Sequence, residues 1–312
     1  MQVFHSFQEI QGCRGAVVAL GTFDGVHLGH QKVMRTAMEK AAAHQVKSIV
    51  ITFASHPLSV LCPEKEPPRL ATVAQKERYI ADVGIDALVL LPMTRHLLDE
   101  TPDEFCQQIV DFIHPSCVVI GSNFTYGKMA AGNTVSLTAF MGAYDIPVLT
   151  LHLLERPGRA VPISSTVIRR LVQMGHMETT ETLLGRPFEI EGTVVTGDKR
   201  GRRIGFPTAN MLIPEDMALP PDGVYITEIC WDGQTHQAMT NIGSNPTFSN
   251  QYRRIETYIL SFQGDIYGKE VTVRFLKRLR PELQFHSAEE LMKKMEEDKG
   301  KTINYFQSQG LK

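Results

Sequence analysis

Gly21-Thr22-Phe23-Asp24-Gly25-Val26-His27-Leu28-Gly29-His30 is the stretch from which the rest of this chain can be read. It follows the apolar run Gly15–Leu20, which reads as a buried strand, and precedes Gln31–Gln45, which reads as a helix. The histidines at 27 and 30 therefore stand at a strand-to-helix junction. The first N–H groups of a helix have no intrahelical partner, and the helix dipole adds partial positive charge there, so such a junction draws an anion. Glycines at 21, 25 and 29 let the backbone turn sharply and approach a ligand closely.

Outward from this junction, short apolar runs alternate with amphipathic ones. Gly15–Leu20, Ser48–Phe53, Ala87–Leu91, Cys117–Ile120 and Pro147–Leu151 read as strands, with helical patterns at Gln31–Gln45, Val73–Val83, Pro102–Ile113 and Thr134–Ala143 between them. That alternation predicts a Rossmann-like α/β domain with a parallel sheet. A further helix is expected within Val161–Met174, with Ser164-Ser165-Thr166 as capping residues and Gly175 near its end. From Phe188 the texture changes: Phe188–Val195, Gly223–Trp231, His236–Asn241, Glu256–Phe262 and Val271–Leu279 are strand-like and joined by turn residues without helices. This predicts a small antiparallel β-barrel or sandwich, closed by an amphipathic helix at Ser287–Gln307. The expected domains are 1–180 and 181–312, with the boundary near Gly175–Arg186.

Composition narrows the class. The chain has 312 residues, 43% hydrophobic and 21% charged, enough for two soluble domains with their own cores. A net charge of −2 gives no bulk electrostatic support for a nucleic-acid partner. The five cysteines are scattered, without a C-x-x-C pair, so neither a disulfide framework nor a zinc site is indicated. Neither a signal peptide nor a membrane span is visible, and the expected location is the cytoplasm, with no membrane partner. A weak homo-oligomer is compatible with this composition.

A histidine pair on a loop has two readings, packed and satisfied or presented to a ligand. Glycines around the pair, with Phe23-Asp24 ahead of it, favour the second. His27-Leu28-Gly29-His30 resembles the H-x-G-H signature of the nucleotidyltransferase superfamily. The resemblance implies that both imidazoles stabilise charge developing at the α-phosphate of a nucleoside triphosphate, where one such donor is worth about 3 kcal/mol. Ile163-Ser164-Ser165-Thr166-Val167-Ile168-Arg169 resembles the superfamily's second element, which holds the β- and γ-phosphates. ATP would thus meet Gly21, Phe23, Asp24, Gly29, Ser164, Ser165, Thr166 and Arg169.

The full decamer is similar to the N-terminal module of the prokaryotic bifunctional riboflavin kinase/FMN adenylyltransferase (FAD synthetase) family. Thr52-Phe53-Ala54-Ser55-His56-Pro57 resembles its T-F-x-P-H-P segment and Gly121–Gly127 its G-x-[DN]-F-x-[FY]-G segment, which implies flavin contacts at His56, Asn123 and Phe124. Ala54 stands where an acidic residue is usual, and Ser55 replaces the first proline. A kinase with a weakened or inactive adenylyltransferase half therefore stays open; a separate alternative is a non-catalytic flavin- or nucleotide-binding regulator.

In the second domain, Gly197-Asp198-Lys199-Arg200-Gly201-Arg202-Arg203-Ile204-Gly205-Phe206-Pro207-Thr208-Ala209-Asn210 is richer than a hairpin requires. A glycine loop with cationic side chains suits a triphosphate tail, and Thr208 and Asn210 offer hard oxygens to Mg²⁺. No G-x-x-x-x-G-K-[ST] is present, so this is not a P-loop. The segment resembles the riboflavin kinase module, a six-stranded barrel, and the resemblance implies ATP contacts at Gly197, Lys199, Gly201, Gly205 and Pro207. Asn241–Phe248 and Ile255–Leu260 fit the same module in order; the resemblance makes Glu256 the general base for the ribityl hydroxyl. The implied activities are phosphorylation of riboflavin to FMN with Mg-ATP and adenylylation of FMN to FAD with a second ATP.

Overall fold

Val17–Leu20 is buried at every position, which a strand covered on both faces allows. In the computed structural model, which describes residues 1–155, 162–197, 205–213, 216–244 and 253–310, this run is a central strand. The chain divides into two compact units, Met1–Ser165 and Thr166–Lys312.

The first unit runs β1 (Gln2–Phe4), β2 (Val17–Leu20), α1 (Leu28–His44), β3 (Ser48–Phe53), α2 (Leu58–Leu61), α3 (Val73–Val83), β4 (Ala87–Leu91), α4 (Arg95–Asp99) and α5 (Pro102–Phe112). It continues through β5 (Cys117–Gly121), a ribbon of β6 (Thr125–Tyr126) and β7 (Gly132–Asn133), α6 (Thr134–Gly142) and β8 (Val148–Leu151). The six-stranded sheet has the order β1-β4-β3-β2-β5-β8, and every pairing is parallel. Alternate residues of β2 feed opposite cores. Val17 and Ala19 pack with Val33, Met34 and Ala37 of α1 and Ile80 of α3, whereas Val18 and Leu20 pack with Phe105 and Ile109 of α5 and Met141 of α6. Helices therefore cover both faces, as the α/β alternation implies.

The second unit contains most of α7 (Ser165–Gln173), then α8 (Met177–Leu184) and β9 (Phe188–Val195) to β14 (Glu270–Pro281). Between these lie β10 (Thr208–Leu212), β11 (Gly223–Trp231), β12 (Gln234–Ser244) and β13 (Arg253–Ile259). The strands close into a barrel of order β10-β13-β12-β11-β14-β9, antiparallel throughout, with β9 pairing β10. Its interior holds Ile190, Tyr225, Ile242, Ile255, Val273 and Phe275, all essentially without exposure. A hydroxyl chain crosses this interior: Thr240 Oγ1 bonds Thr227 Oγ1 at 2.7 Å and Thr257 Oγ1 at 2.9 Å, so each polar atom is satisfied despite full burial. Outside, the terminal helix α9 (Ala288–Ser308) sets Phe306 against Ile226 and Leu276.

The two contact units part between Ser165 and Thr166. Helix α8 lies in the second, where its Glu178 pairs with Lys277 of β14 at 2.9 Å. Two expectations are corrected. Helix α1 begins at Leu28, not Gln31, because His27 caps it. Residues Thr208–Leu212, read as the end of a loop, form the sixth barrel strand between β9 and β13.

Candidate active sites

Strand order places the first site. The chain moves outward from β2 through β3 to β4 on one side and through β5 to β8 on the other, so the carboxyl ends of β2 and β5 flank a topological switch point. Open α/β sheets bind ligands at such a point. The glycine–histidine loop leaves β2 there, and Gly121–Asn123 leaves β5.

Gly21 N–H donates to Ile51 O at 3.3 Å as the strands part. Phe23 then turns the backbone with φ 47°, and its ring is 2% exposed, set edge-on to the His30 ring at 5.2 Å. The Phe23 side chain thus forms the wall behind His30. Asp24 Oδ1 accepts from Leu70 N at 3.2 Å, and Asp24 O accepts from Ser165 Oγ at 3.0 Å, which ties the start of α7 to the loop. Ser164 is half-buried, Thr166 is exposed, and Arg169 is half-buried one turn along α7.

His27 is the N-cap of α1: its Nδ1 accepts from His30 N at 3.3 Å. With Nδ1 an acceptor, the neutral ring carries its proton on Nε2 and presents a donor there. The two imidazoles stack with centroids 3.5 Å apart and planes at 21°. A Cβ on Gly29 would lie 3.1 Å from the His27 ring, so glycine leaves room for that stack. His30 Nδ1 is buried with no hydrogen-bond partner among the described residues. Burial, then His27, then the Lys76 ammonium hold the His30 pKa well below the usual imidazole value, so the ring is neutral. With His30 held neutral and His27 presenting its Nε2–H, the stacked pair at a helix N-terminus can donate hydrogen bonds to an anion.

The expected flavin contacts fare differently. His56 is half-buried, and its Nδ1 accepts from Leu58 N at 3.1 Å. Ala54 N–H donates to Leu91 O at 2.9 Å, and its methyl packs against the α1–α3 core. Ser55 Oγ and Ser59 Oγ are 2.8 Å apart. Asn123 is exposed beyond β5. Phe124 is 9% exposed and stacks on Tyr126 at 5.6 Å, so it shapes the loop from the core rather than offering a free ring face.

The second site is built on β10. Thr208 and Asn210, two apart on a strand, share one face, which explains the spacing of Pro207-Thr208-Ala209-Asn210. Asn210 is 7% exposed, and its Nδ2 donates to Thr208 O at 3.4 Å. Gly197 lies against that amide: a Cβ there would fall 2.5 Å from Asn210 Cγ and 2.7 Å from Oδ1. Around them is a cavity of about 340 Å³ lined by Gly197, Pro207, Thr208, Asn210, Phe262 and Tyr267 among others. Gly205 adopts φ 81° just before Phe206. Lys199 and Gly201, with the rest of residues 198–204 and Asn245–Phe248, lie outside the described residues.

Register brings Glu256 into the same neighbourhood. Glu256 of β13 pairs with Asn210 of β10 and with Asn241 of β12, so the three side chains share the outer face while Ile255 and Thr257 point inward. Among the described residues no cluster of three or more His, Cys, Asp or Glu could hold a metal. The neutral oxygens of Thr208 and Asn210 nevertheless fit Mg²⁺, which binds through few protein groups plus phosphates.

Sequence reasoning passed over Lys76, buried beneath the histidine loop, and Asn241 beside Glu256. Lys76 was findable, since it falls at helical spacing from Val73, Tyr79 and Ile80 on the apolar stripe of α3. Asn241 carried no signal before the register was known.

A family model described as FAD synthetase matches residues 9–167, and one described as riboflavin kinase matches 184–306. A bifunctional riboflavin kinase/FMN adenylyltransferase of Listeria monocytogenes is 37% identical, covering 93% of this chain and 92% of its own. One from Bacillus subtilis is 36% identical with the same coverages, and one from Escherichia coli K12 is 30% identical over 94% and 93%. A solved structure from Streptococcus pneumoniae, described as a macrolide-efflux protein, matches with TM-score 0.88 and 31% identity over 97% of this chain and 98% of that one. Among the described residues of the present chain no helix is long and apolar enough to cross a membrane.

Proposed function

This chain belongs to the bifunctional riboflavin kinase/FMN adenylyltransferase family, and from that premise we propose how its residues divide between the two reactions. It is an ATP-dependent transferase of flavin cofactor synthesis. Riboflavin is phosphorylated to FMN, and FMN is adenylylated to FAD with release of pyrophosphate. The observation that carries this is the presence of both family segments in one chain, matched over 93% of its length by a bifunctional relative. As functional domains we propose 1–180 and 181–312; this keeps α7, whose first residue bonds to the Asp24 carbonyl, with the adenylyltransferase.

For adenylyl transfer, a phosphate oxygen of FMN attacks the α-phosphorus of ATP and the bond to pyrophosphate breaks. His27 and His30 donate to the phosphate oxygens on which charge accumulates. The proposed triphosphate contacts are Gly21, Asp24 and Gly29 with Ser164, Ser165, Thr166 and Arg169. His56 and Asn123 contact the flavin, with Phe23 and Phe124 as packing supports. Ala54 occupies a backbone position that needs no carboxylate for its own packing, so its departure from the family pattern leaves the loop intact.

For phosphoryl transfer, ATP occupies the cavity at Gly197, Pro207 and β10, and Lys199, Gly201 and Gly205 are further proposed ATP contacts. Mg²⁺, held by Thr208 and Asn210, would neutralise phosphate charge. Glu256 accepts the proton of the ribityl 5′-hydroxyl as that oxygen attacks the γ-phosphorus and ADP leaves. Its place on the same face as Asn210 supports this role. The test is chromatography of products after incubation of the pure protein with riboflavin, ATP and Mg²⁺. FMN followed by FAD is expected; FMN alone, even with FMN supplied as substrate, would leave only the kinase, and neither product would overturn the reading.

A further inference from the structure

Among the described residues Lys76 is the only buried lysine, 6% exposed, and it sits in the first turn of α3. Loss of water and the positive end of the helix both oppose an ammonium there. Its partners explain its presence. Lys76 Nζ donates to Thr22 O at 3.1 Å and to Phe53 O at 2.8 Å. These carbonyls lie at or beyond the ends of adjacent strands, past the final β2–β3 pairing of Leu20 with Ile51. Thr22 O also accepts from Thr52 Oγ1 at 2.9 Å. Thr22 immediately precedes Phe23, where the left-handed backbone turns the chain into the histidine loop. One ammonium therefore grips both the base of that loop and the end of the neighbouring strand.

We propose that Lys76 is a positioning residue for adenylyl transfer, its ammonium clamping the Thr22 and Phe53 carbonyls so that the His27/His30 loop leaves β2 in the competent direction. This rests on the reading of that loop as the adenylyl-transfer site. The charged and titratable groups facing Lys76 are Asp24 from the loop, Arg69 ahead of α3 and His30 from α1. Burial lowers the Lys76 pKa most; Asp24 raises it and Arg69 lowers it further, leaving it at about 8. The sign follows: below this pH the clamp is a cation making charge-assisted bonds, and above it a neutral amine making weaker ones.

The experiment measures kcat/KM for ATP in FMN adenylylation across about pH 6.5 to 9.5, a parameter that reports groups of the free enzyme. Riboflavin phosphorylation by the same protein serves as the internal control. The wild type should fall above roughly pH 8 and level off no lower than Lys76→Met. Lys76→Met should be at least about tenfold slower at neutral pH, should lack that alkaline limb, and should phosphorylate riboflavin normally. Lys76→Arg keeps a charge that does not titrate here; it should restore the neutral rate to within about threefold and also lack the limb. A flat wild-type profile, or an unchanged limb in Lys76→Arg, overturns the proposal; so does an unchanged limb in Lys76→Met. If Lys76→Met does not fold, the arginine variant decides. FAD formation by the wild type with such an outcome sinks this inference alone, whereas no FAD formation at all sinks the assignment of the loop as well.

Discussion

Replacing Gly197 by alanine separates the two activities with the smallest change in chemistry. The added methyl would sit 2.5 Å from Asn210 Cγ and 2.7 Å from its Oδ1, and nearer still to Nδ2. Ordinary contact requires about 3.5 Å or more, so one side must move by roughly 1 Å. Asn210 cannot retreat easily: it is 7% exposed, and it stands on a strand paired on both sides. The displacement therefore falls on the loop or on the oxygens proposed to hold Mg²⁺. A misplacement of about 1 Å costs on the order of 100-fold, or about 2.7 kcal/mol of barrier. Steady-state riboflavin phosphorylation should accordingly fall by about two orders of magnitude in kcat/KM, while FMN-to-FAD conversion, measured on the same preparation, stays within about twofold. A kinase rate within about threefold of wild type would refute the reasoning, because it would mean the loop and Asn210 are not held at the distance that makes glycine necessary.

Three other perturbations follow from the structure. Glu256→Gln keeps the side-chain shape and removes the base, so FMN formation should fall by about 10² to 10⁴ with adenylylation untouched; parallel loss of both activities in product chromatography would contradict separate sites. His30→Ala removes a donor and should do the reverse, lowering FAD formation by about 10² to 10³; an unchanged rate would dismiss the histidine loop. Asp298, with its side chain 2% exposed, bonds Arg280 at 2.7 Å. Asp298→Ala strands a largely buried guanidinium and should cost the barrel about 3 to 5 kcal/mol in urea unfolding; a loss below about 1 kcal/mol would count against it. Trp231, the one tryptophan in the sequence, lies on β11 and reports that transition by fluorescence.

Where neighbouring residues alone decide the backbone, the sequence is legible to the residue. Val73–Val83 is a helix with the predicted bounds because Thr72 and Gln75 form a reciprocal cap at one end and Gly84 adopts φ 102° at the other. Ser48–Phe53, with five consecutive buried positions, and Ala87–Leu91, apolar throughout, are runs that suit a doubly covered strand. Where distant partners decide, it fails. β1 is three residues long with no buried position, and it exists because β4 offers an edge. β10 lies between Pro207 and an exposed Leu212, and its pairing comes from β13, tens of residues away. Both sites divide in the same way. Histidines among glycines, and threonine with asparagine on alternate positions, declare their chemistry by type and spacing. The Lys76 clamp, the burial of Phe124 and the register of Glu256 with Asn210 and Asn241 depend on which strand lies beside which.

The closed order of the barrel also fixes when it can form during synthesis. Its first strand, β9, completes its pairing only with its last, β14, and β14 in turn covers the free edge of β11. A growing chain that has not yet released Glu270–Pro281 therefore carries two open strand edges, at β9 and β11, which are templates for pairing with another chain. The parallel sheet, complete once β8 has emerged, has no such wait. The interval between those two moments is when the nascent protein is most exposed to aggregation, and a ribosomal pause shortly before β14 would lengthen it.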